Sequence, residues 1–388
     1  MAIPYGRQDI TEDDIAAVVA VLRSDFLTQG PAVPAFEAAV AARVGARFAV
    51  ASNSATSSLH LACLALGVGP GDRVWTSPVT FVASANCARY CGAEVDFVDI
   101  DPANSNISVE RLAAKLAEAE RAGALPKVVI PVHLAGQPAD MAAIADLAAR
   151  YGFRVVEDAS HAIGGSYRGE PIGNGRYSDV TVFSFHPVKI ITTGEGGVAV
   201  TNDAELARRM RRLNSHGITR EAAEMTRVPD GPWYYEQLGL GFNYRMTDIQ
   251  AALGLSQLAR LDDYVARRHA IADAYDAVLG DLPLVLPRRD PRDRSGLHLY
   301  IVRLKRAAVA RSHREVFEGL RAAGILVNLH YIPVYRQPDF ARPEASWADF
   351  PEAEAYYAEA ISLPMFPALT EEQQRFVADT LRGLLAPA

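Results

Sequence analysis

Short apolar runs alternate with helical patterns between about residues 45 and 205 of the chain. These runs are rich in β-branched residues, and they read FAVAS, RVWTS, EVDFVDI, KVVIPVH, FRVVED, DVTVFSF and GGVAVT. Apolar strands separated by helices are typical of a largely parallel sheet that helices cover on both faces. The pattern therefore predicts an α/β fold with a mostly parallel, seven-stranded sheet between helices.

The character of the chain changes after about residue 260. LHLYIVRL (297–304) and GILVNLHYIPV (324–334) resemble strands, and a helical pattern at about 312–323 lies between them. Strands and helices in this mixture favour a smaller α+β domain. We therefore predict a large domain over residues 1–260 and a small C-terminal domain over residues 261–388.

Composition and charge exclude several classes of protein. The 388 residues are 49% hydrophobic and 22% charged, which is typical of a soluble globular enzyme. The net charge of −7 argues against a nucleic-acid surface, because phosphate backbones favour clustered Lys and Arg. No apolar run reaches the roughly 18 residues of a membrane helix, and the N-terminus has no signal-peptide pattern. We expect a cytoplasmic protein with neither a nucleic-acid nor a membrane partner.

The three cysteines, Cys63, Cys87 and Cys91, form no CxxC pair. A metal site would need a different His and Cys spacing. We therefore predict buried free thiols and no metal site.

A helix is predicted to begin directly after the strand FAVAS. Leu59, Cys63 and Leu66 have helical spacing, which places the start of this helix between Ser54 and Thr56. The amides and hydroxyls at a helix N-terminus can bind an anion such as phosphate. Plain N-capping by Ser54 or Thr56 would give the same pattern.

Two ionisable residues follow later strands of the series. Asp158 ends the run FRVVED, where a helix cap or a structural salt bridge would also explain it. Lys189 lies between Val188 and Ile190, shortly after the strand that ends near Ser184. A partly desolvated lysine has a lowered pKa and can attack carbonyl carbon, although a lysine whose amine reaches water would also fit.

These three features are predicted to meet, because ligands of open α/β sheets bind beyond the carboxyl ends of the strands. A phosphate-binding helix start, a carboxylate and a lysine are the groups that pyridoxal 5′-phosphate (PLP) requires. The carboxylate keeps the pyridine nitrogen protonated, and the lysine condenses with the aldehyde. The combination predicts PLP as cofactor, with Lys189 and Asp158 as the catalytic residues.

Five segments resemble the DegT/StrS-type sugar aminotransferases, and the resemblance covers essentially the whole chain. These segments are FLTQGPAVPAFE, EDASHAIG, FSFHPVKIITTGEGG, GFNYRMTDIQAA and HYIPVYRQP. The resemblance implies a fold-type-I PLP-dependent transferase. It implies that Lys189 binds the aldehyde of PLP and that Asp158 binds the pyridine nitrogen.

The same resemblance implies roles for further residues around the cofactor. Ser184 would join Ser54, Thr56 and the Ala55 amide on the phosphate. Phe81 would stack on the ring, His161 would contact the ring hydroxyl, and Asn243 would reach the phosphate of the neighbouring subunit's cofactor. The last role implies a homodimer with shared active sites.

One position departs from the pattern of the family. Relatives commonly have Ser-Gly-Thr where this chain has Ser54, Ala55 and Thr56. Alanine lacks the freedom of glycine at positive φ, but it costs little if the backbone there is helical. We expect a small effect on cofactor affinity.

Within the family, both chain ends and FSFHPVKIITTGEGG resemble the 4-aminotransferases of pseudaminic-acid biosynthesis. This implies UDP-2-acetamido-2,6-dideoxy-β-L-arabino-hexos-4-ulose as substrate and L-glutamate as amino donor. Tyr5, Thr28, Gln29 and His330 lie in matching segments and are candidates for substrate contacts.

Four alternatives remain open. Another keto-sugar nucleotide could be the substrate, and sugar dehydratases share the scaffold, although they carry histidine in place of Lys189. An amino-acid aminotransferase or desulfurase fits the sugar-enzyme segments at both chain ends less well. A non-catalytic PLP-binding regulator is the fourth alternative.

Overall fold

The computed structural model describes residues 2–340 and 343–386. Its helices are α1 (Glu12–Leu22), α2 (Ala32–Val44), α3 (Ala55–Ala65), α4 (Ala83–Tyr90), α5 (Val109–Ala122), α6 (Met141–Tyr151), α7 (Ala204–Asn214), α8 (Asp248–Leu258), α9 (Leu261–Leu279), α10 (His313–Ala322), α11 (Pro351–Tyr357) and α12 (Glu371–Leu385). Its strands are β1 (Ile3–Pro4), β2 (Phe48–Ser52), β3 (Arg73–Thr76), β4 (Glu94–Phe97), β5 (Val128–Ile130), β6 (Arg154–Asp158), β7 (Ser166–Tyr167), β8 (Glu170–Pro171), β9 (Val180–Ser184), β10 (Gly197–Thr201), β11 (Ile218–Thr219), β12 (Glu236–Gln237), β13 (Leu284–Val285), β14 (Tyr300–Leu304), β15 (Ile325–Leu326) and β16 (Ala360–Leu363).

A seven-stranded sheet forms the centre of the fold, in the order β2-β10-β9-β6-β5-β3-β4. All neighbouring pairs from β9 to β4 are parallel, whereas β10 runs antiparallel to both β9 and β2. Residues 185–196 return the chain from β9 to β10 without a crossover helix, and such a direct return produces antiparallel neighbours. The predicted mostly parallel sheet of the fold-type-I transferases is confirmed.

Helices cover both faces of this sheet, as the apolar strands require. Side chains alternate between the faces: Val155 packs with residues of α2, α5 and α6, whereas the next residue, Val156, packs with residues of α3, α4 and α7. The cysteines lie in the second of these layers as buried free thiols, which confirms that prediction. No group of three or more potential metal ligands occurs within residues 2–340 and 343–386.

The C-terminal part has its own antiparallel sheet, in the order β13-β14-β16. Residues of α9, α10 and α12 pack against this sheet and form a separate apolar core. The N-terminal strand β1 also lies in this part, where it pairs in parallel with β15. Helix α9 contacts both cores, because Leu261 belongs to the first and Tyr275 to the second. The domain boundary near residue 260 stays a prediction.

None of the helices in the described part of the chain is both long and apolar enough to cross a membrane.

Candidate active site

A cavity of about 1020 Å³ opens beyond the carboxyl ends of β2, β6 and β9. This is where ligands bind in open α/β sheets, and the volume is in the upper range for small-molecule sites. Ten predicted site residues line this cavity, namely Tyr5, Ser54, Ala55, Thr56, Phe81, Asp158, His161, Ser184, Lys189 and His330. Segments far apart in the sequence therefore converge on one space.

Helix α3 points its N-terminus at this cavity. Ser54 is the N-cap, and its hydroxyl accepts a hydrogen bond from the Ser57 amide at 3.1 Å. Ser54 therefore both caps the helix and lines the cavity, although the sequence offered these two roles as alternatives. The amides of the first helical turn have no partner within the helix, so those of Ala55 and Thr56 suit an anion. Ala55 is the first helical residue, so alanine costs little there.

Gly197 lets the start of β10 lie directly against the start of α3. A Cβ at this position would lie 2.4 Å from the Ala55 amide nitrogen and 2.5 Å from the Ser54 carbonyl carbon. Only glycine fits such an approach without displacing the backbone. The GEGG run therefore contributes to the site through packing, because it lets β10 lie against the helix start at the cavity.

Asp158 is a buried carboxylate at the end of β6, and hydroxyl groups hold both of its oxygens. Ser84 donates to Oδ2 at 2.6 Å, and Ser160 donates to Oδ1 through its hydroxyl at 2.6 Å and its amide at 3.1 Å. Within residues 2–340 and 343–386, no Lys, Arg or His makes an ion pair with it. The carboxylate is thus oriented by neutral donors, which leaves it available to a cationic ligand atom as well as to the Lys189 amine, whose pKa it raises.

Lys189 follows β9 and is partly buried in the cavity wall between Val188 and the buried Ile190. Burial lowers the pKa of its amine from 10.5 to about 8, and the Asp158 carboxylate opposes this effect. With a pKa near 8, about a tenth of the amines are neutral at pH 7, against roughly one in three thousand for an ordinary lysine. The protein thereby supplies a nucleophilic amine near neutral pH.

Three histidines surround the region of Lys189, namely His161, His298 and His330. All three are buried, and burial lowers the pKa of each imidazole, with the Lys189 charge adding to the effect. The pKa of His330 falls to about 3. These imidazoles are therefore neutral at physiological pH and act as hydrogen-bonding groups rather than as cations.

The aromatic wall of the cavity contains Phe81 and Tyr331. The Phe81 ring is 56% exposed although it is large and apolar, and its centroid lies 6.1 Å from that of Tyr331. An apolar ring that faces a cavity in this way suits stacking on a flat ligand. Ser184 adds a hydroxyl at the end of β9, which accepts a hydrogen bond from the His186 amide at 3.5 Å.

Three predicted residues do not line this cavity. Thr28, Gln29 and Asn243 are exposed, and each lies near the surface formed by the 24–30 loop or the 238–247 segment. Thr28 forms a β-bridge with Thr247 of that segment, so the two regions are adjacent. Their predicted roles depend on a neighbouring subunit or on substrate and stay predictions.

The sequence profile of the DegT/DnrJ/EryC1/StrS aminotransferase family matches residues 8–382. The chain belongs to this family. Its members depend on PLP, and a solved neighbour of the same fold is described in both a PLP form and a form with the aminated cofactor. The predicted family, the predicted enzyme class and the predicted cofactor are confirmed.

Individual relatives of this DegT-family chain come from several organisms. It is 40% identical to the spore coat polysaccharide biosynthesis protein SpsC of Bacillus subtilis, over 100% of this chain and 98% of that protein. It is 36% identical to a UDP-4-amino-4,6-dideoxy-N-acetyl-β-L-altrosamine transaminase of Campylobacter jejuni, over 99% and 97%.

Among solved structures, the DegT-family fold of this chain is similar to PseC of Helicobacter pylori, an aminotransferase of pseudaminic-acid biosynthesis. The TM-score is 0.90 with 30% identity, and 99% of each chain is covered. The chain is therefore a sugar aminotransferase.

The residues present fit PLP. The start of α3 with Thr56 and Ser184 provides donors for the phosphate, Asp158 provides an anion for the pyridine nitrogen, and Lys189 provides the amine for the aldehyde. All of these groups line one cavity that also exposes the Phe81 ring. When bound, PLP supplies an electron-accepting ring beside the Lys189 amine.

The sequence alone missed four residues that shape this site. Ser84 and Ser160 orient Asp158, whereas His298 and Tyr331 line the cavity. Ser160 stands two residues after Asp158, which is the spacing of a local side-chain turn and could have indicated its role. The other three reach the site from α4 and from the C-terminal part, and no local pattern marks them.

Proposed function

We propose that this sugar aminotransferase transfers the amino group of L-glutamate to C4 of UDP-2-acetamido-2,6-dideoxy-β-L-arabino-hexos-4-ulose. The product would be UDP-4-amino-4,6-dideoxy-N-acetyl-β-L-altrosamine, a precursor of pseudaminic acid. The observation that carries the aminotransferase chemistry is the Lys189 amine, whose pKa is about 8, in a cavity with Asp158. The likeness to the Campylobacter jejuni transaminase and to PseC supports the choice of sugar.

In this proposal Lys189 performs the proton transfers. When glutamate occupies the cavity, the Lys189 amine would act as the base that takes the proton from the carbon bearing the amino group, and it would carry that proton as an ammonium group until it donates it again. With the keto sugar it moves a proton in the opposite direction, to C4. Its lowered pKa suits both directions, because an acid-base group works best when its pKa lies near the working pH.

Asp158 and its serine donors would keep the pyridine nitrogen of the cofactor protonated throughout both half-reactions. The carboxylate is held at both oxygens by hydrogen bonds from Ser84 and Ser160. These bonds leave it little freedom to turn away from the ring nitrogen. A fixed, buried anion stabilises a cation far more than a solvated one would.

We further propose that the enzyme acts in the cytoplasm as a homodimer with shared active sites. Asn243 is exposed and lies outside the cavity of its own chain, as expected if it serves the neighbouring site. Large apolar side chains are exposed in the adjacent 24–30 loop and 238–247 segment, among them Phe26 and Leu240. An apolar surface of this kind is typical of an interface between subunits.

A panel of keto-sugar nucleotides tests the substrate. The purified holoenzyme is incubated with glutamate and each UDP- or dTDP-linked 4-keto or 3-keto sugar, and products are identified by mass spectrometry and NMR. Preferred amination of the L-arabino 4-ulose at C4 supports the proposal. Clear preference for another sugar would refute the substrate and leave the aminotransferase class intact.

A second keto-sugar nucleotide is favoured by one observation. The identity to SpsC of Bacillus subtilis, 40%, exceeds the 36% identity to the altrosamine transaminase. SpsC is described by spore coat polysaccharide biosynthesis and not by pseudaminic acid, so another keto-sugar nucleotide, such as a UDP- or dTDP-linked 4-keto-6-deoxyhexose, is the alternative substrate. A protein that binds PLP yet aminates no member of the panel would instead be a PLP-binding regulator.

A further inference from the structure

Two observations indicate which nitrogen of the His161 ring carries the hydrogen. The Ala135 amide donates to His161 Nδ1 at 3.2 Å, so Nδ1 is an acceptor and carries no hydrogen. Burial and the nearby Lys189 charge lower the pKa of His161 well below its usual value, so the ring is neutral. A neutral imidazole has one N–H group. That group is therefore at Nε2.

This tautomer decides the direction of the next hydrogen bond. His161 Nε2 lies 3.1 Å from the Tyr331 hydroxyl oxygen. Because Nε2 carries the hydrogen, it donates and the tyrosine oxygen accepts. The hydroxyl hydrogen of Tyr331 must then point elsewhere, and within residues 2–340 and 343–386 the hydroxyl has no other hydrogen-bond partner. Tyr331 is therefore a half-buried donor that has no acceptor among the described residues.

The ring that carries this donor forms part of the cavity wall. Tyr331 lines the cavity together with Lys189 and Asp158. Its ring is held between His161, stacked at 6.0 Å, His330 at 5.0 Å and Phe81 at 6.1 Å. Burial raises the pKa of the Tyr331 phenol, and the Asp158 charge adds to this, so the hydroxyl keeps its proton and acts as a donor.

We propose that the Tyr331 hydroxyl positions the sugar substrate by donating a hydrogen bond to an oxygen on the carbon next to the reacting carbonyl. This inference rests on the proposed function. Both substrates bring a reacting carbon to Lys189, but only the keto sugar carries a neutral hydroxyl beside it. Glutamate has a methylene group and a carboxylate there, and carboxylates are bound best by cationic donors.

The test compares the two half-reactions of Tyr331→Phe with those of the wild type, measured separately by stopped-flow absorbance of the cofactor. The substitution removes only the hydroxyl and keeps the ring packed. We expect the kcat/KM of the keto-sugar half-reaction to fall about tenfold to a hundredfold, because an oxygen of the substrate loses its donor in the cavity. The glutamate half-reaction should change by less than about twofold.

Tyr335→Phe is the matched control, because it removes a hydroxyl that bonds to Glu354 outside the cavity. Both half-reactions should stay normal in this variant. A titration with PLP, followed by absorbance, gives the cofactor affinity of each protein. A pH titration of the same absorbance band gives the pH midpoint of the bound cofactor. Unchanged values in Tyr331→Phe support a contact with sugar, whereas a shift of either would assign the donor to the cofactor and overturn the inference.

Two further outcomes separate this inference from the proposed function. If the wild type aminates a keto sugar and Tyr331→Phe does so equally well, the inference alone is wrong. If the wild type reacts with glutamate but with no keto sugar, both the proposed function and this inference are wrong. A melting temperature equal to that of the wild type shows that the variant is folded.

Discussion

Replacing Lys189 by Met should stabilise the protein without cofactor, because the charged amine of this lysine is costly to bury. Its pKa falls from 10.5 to about 8 in the folded state, which is a shift of about 2.5 units. At 1.36 kcal/mol per unit, the folded state loses about 3 kcal/mol at neutral pH by keeping the amine charged. Methionine has a similar length and no charge, so it removes this cost.

The difference in stability between Lys189→Met and the wild type should also depend on pH. Below pH 8 the amine is charged in both states, and the wild type bears the full cost. Between about pH 8 and 10.5 the folded protein has lost this proton while the unfolded chain retains it, so rising pH favours folding. The stability gap between Lys189→Met and the wild type should therefore shrink by about 3 kcal/mol over this interval.

Urea unfolding of both apoproteins at several pH values from 7 to about 10.5 measures this gap. One protein concentration is used throughout, because association between subunits would also change the apparent stability. Taking the difference between the two proteins cancels the titration of all other groups. Parallel curves, with a gap that does not depend on pH, would refute the depressed pKa and with it the account of Lys189 as a nucleophile near neutral pH.

Three other substitutions test separate parts of the site. Lys189→Ala should abolish the visible absorbance of the lysine-bound cofactor and all transamination in a folded protein; normal turnover would contradict the assignment. Asn243→Ala should weaken cofactor binding in the partner's site. In mixed dimers with Lys189→Ala, subunits that behave independently would contradict the shared site. Gly197→Ala should lower the unfolding free energy by about 1–3 kcal/mol and weaken cofactor binding, because its Cβ meets the Ala55 amide; an unchanged melting temperature would argue against this close packing.

Much of the fold and the place of Lys189 and Asp158 in one cavity could be predicted from the sequence, because the relevant patterns are local. Apolar runs of strand length locate the seven strands, and the residues just after them must lie at one edge of a parallel sheet. Lys189 and Asp158 stand at such positions. The helix start at Ser54 is likewise visible in the spacing of the apolar residues that follow it.

The tertiary structure alone decided the environment of these groups. The pKa of Lys189 depends on how deeply it is buried, and burial results from packing between distant segments. The tautomer of His161, and with it the free donor of Tyr331, depends on the Ala135 amide, 26 residues away in sequence. Strand β1 pairs with β15 although the two strands are separated by most of the sequence.

The sequence by itself therefore determined that the start of α3, Asp158 and Lys189 meet at one edge of the sheet, because strand and helix patterns set their place there. The structure decided how these groups behave, since charge, protonation and hydrogen-bond direction are set by neighbours that no local pattern reveals. Asn243 illustrates the difference. Its segment is recognisable in the sequence, but a single folded chain leaves it exposed, away from its own cavity.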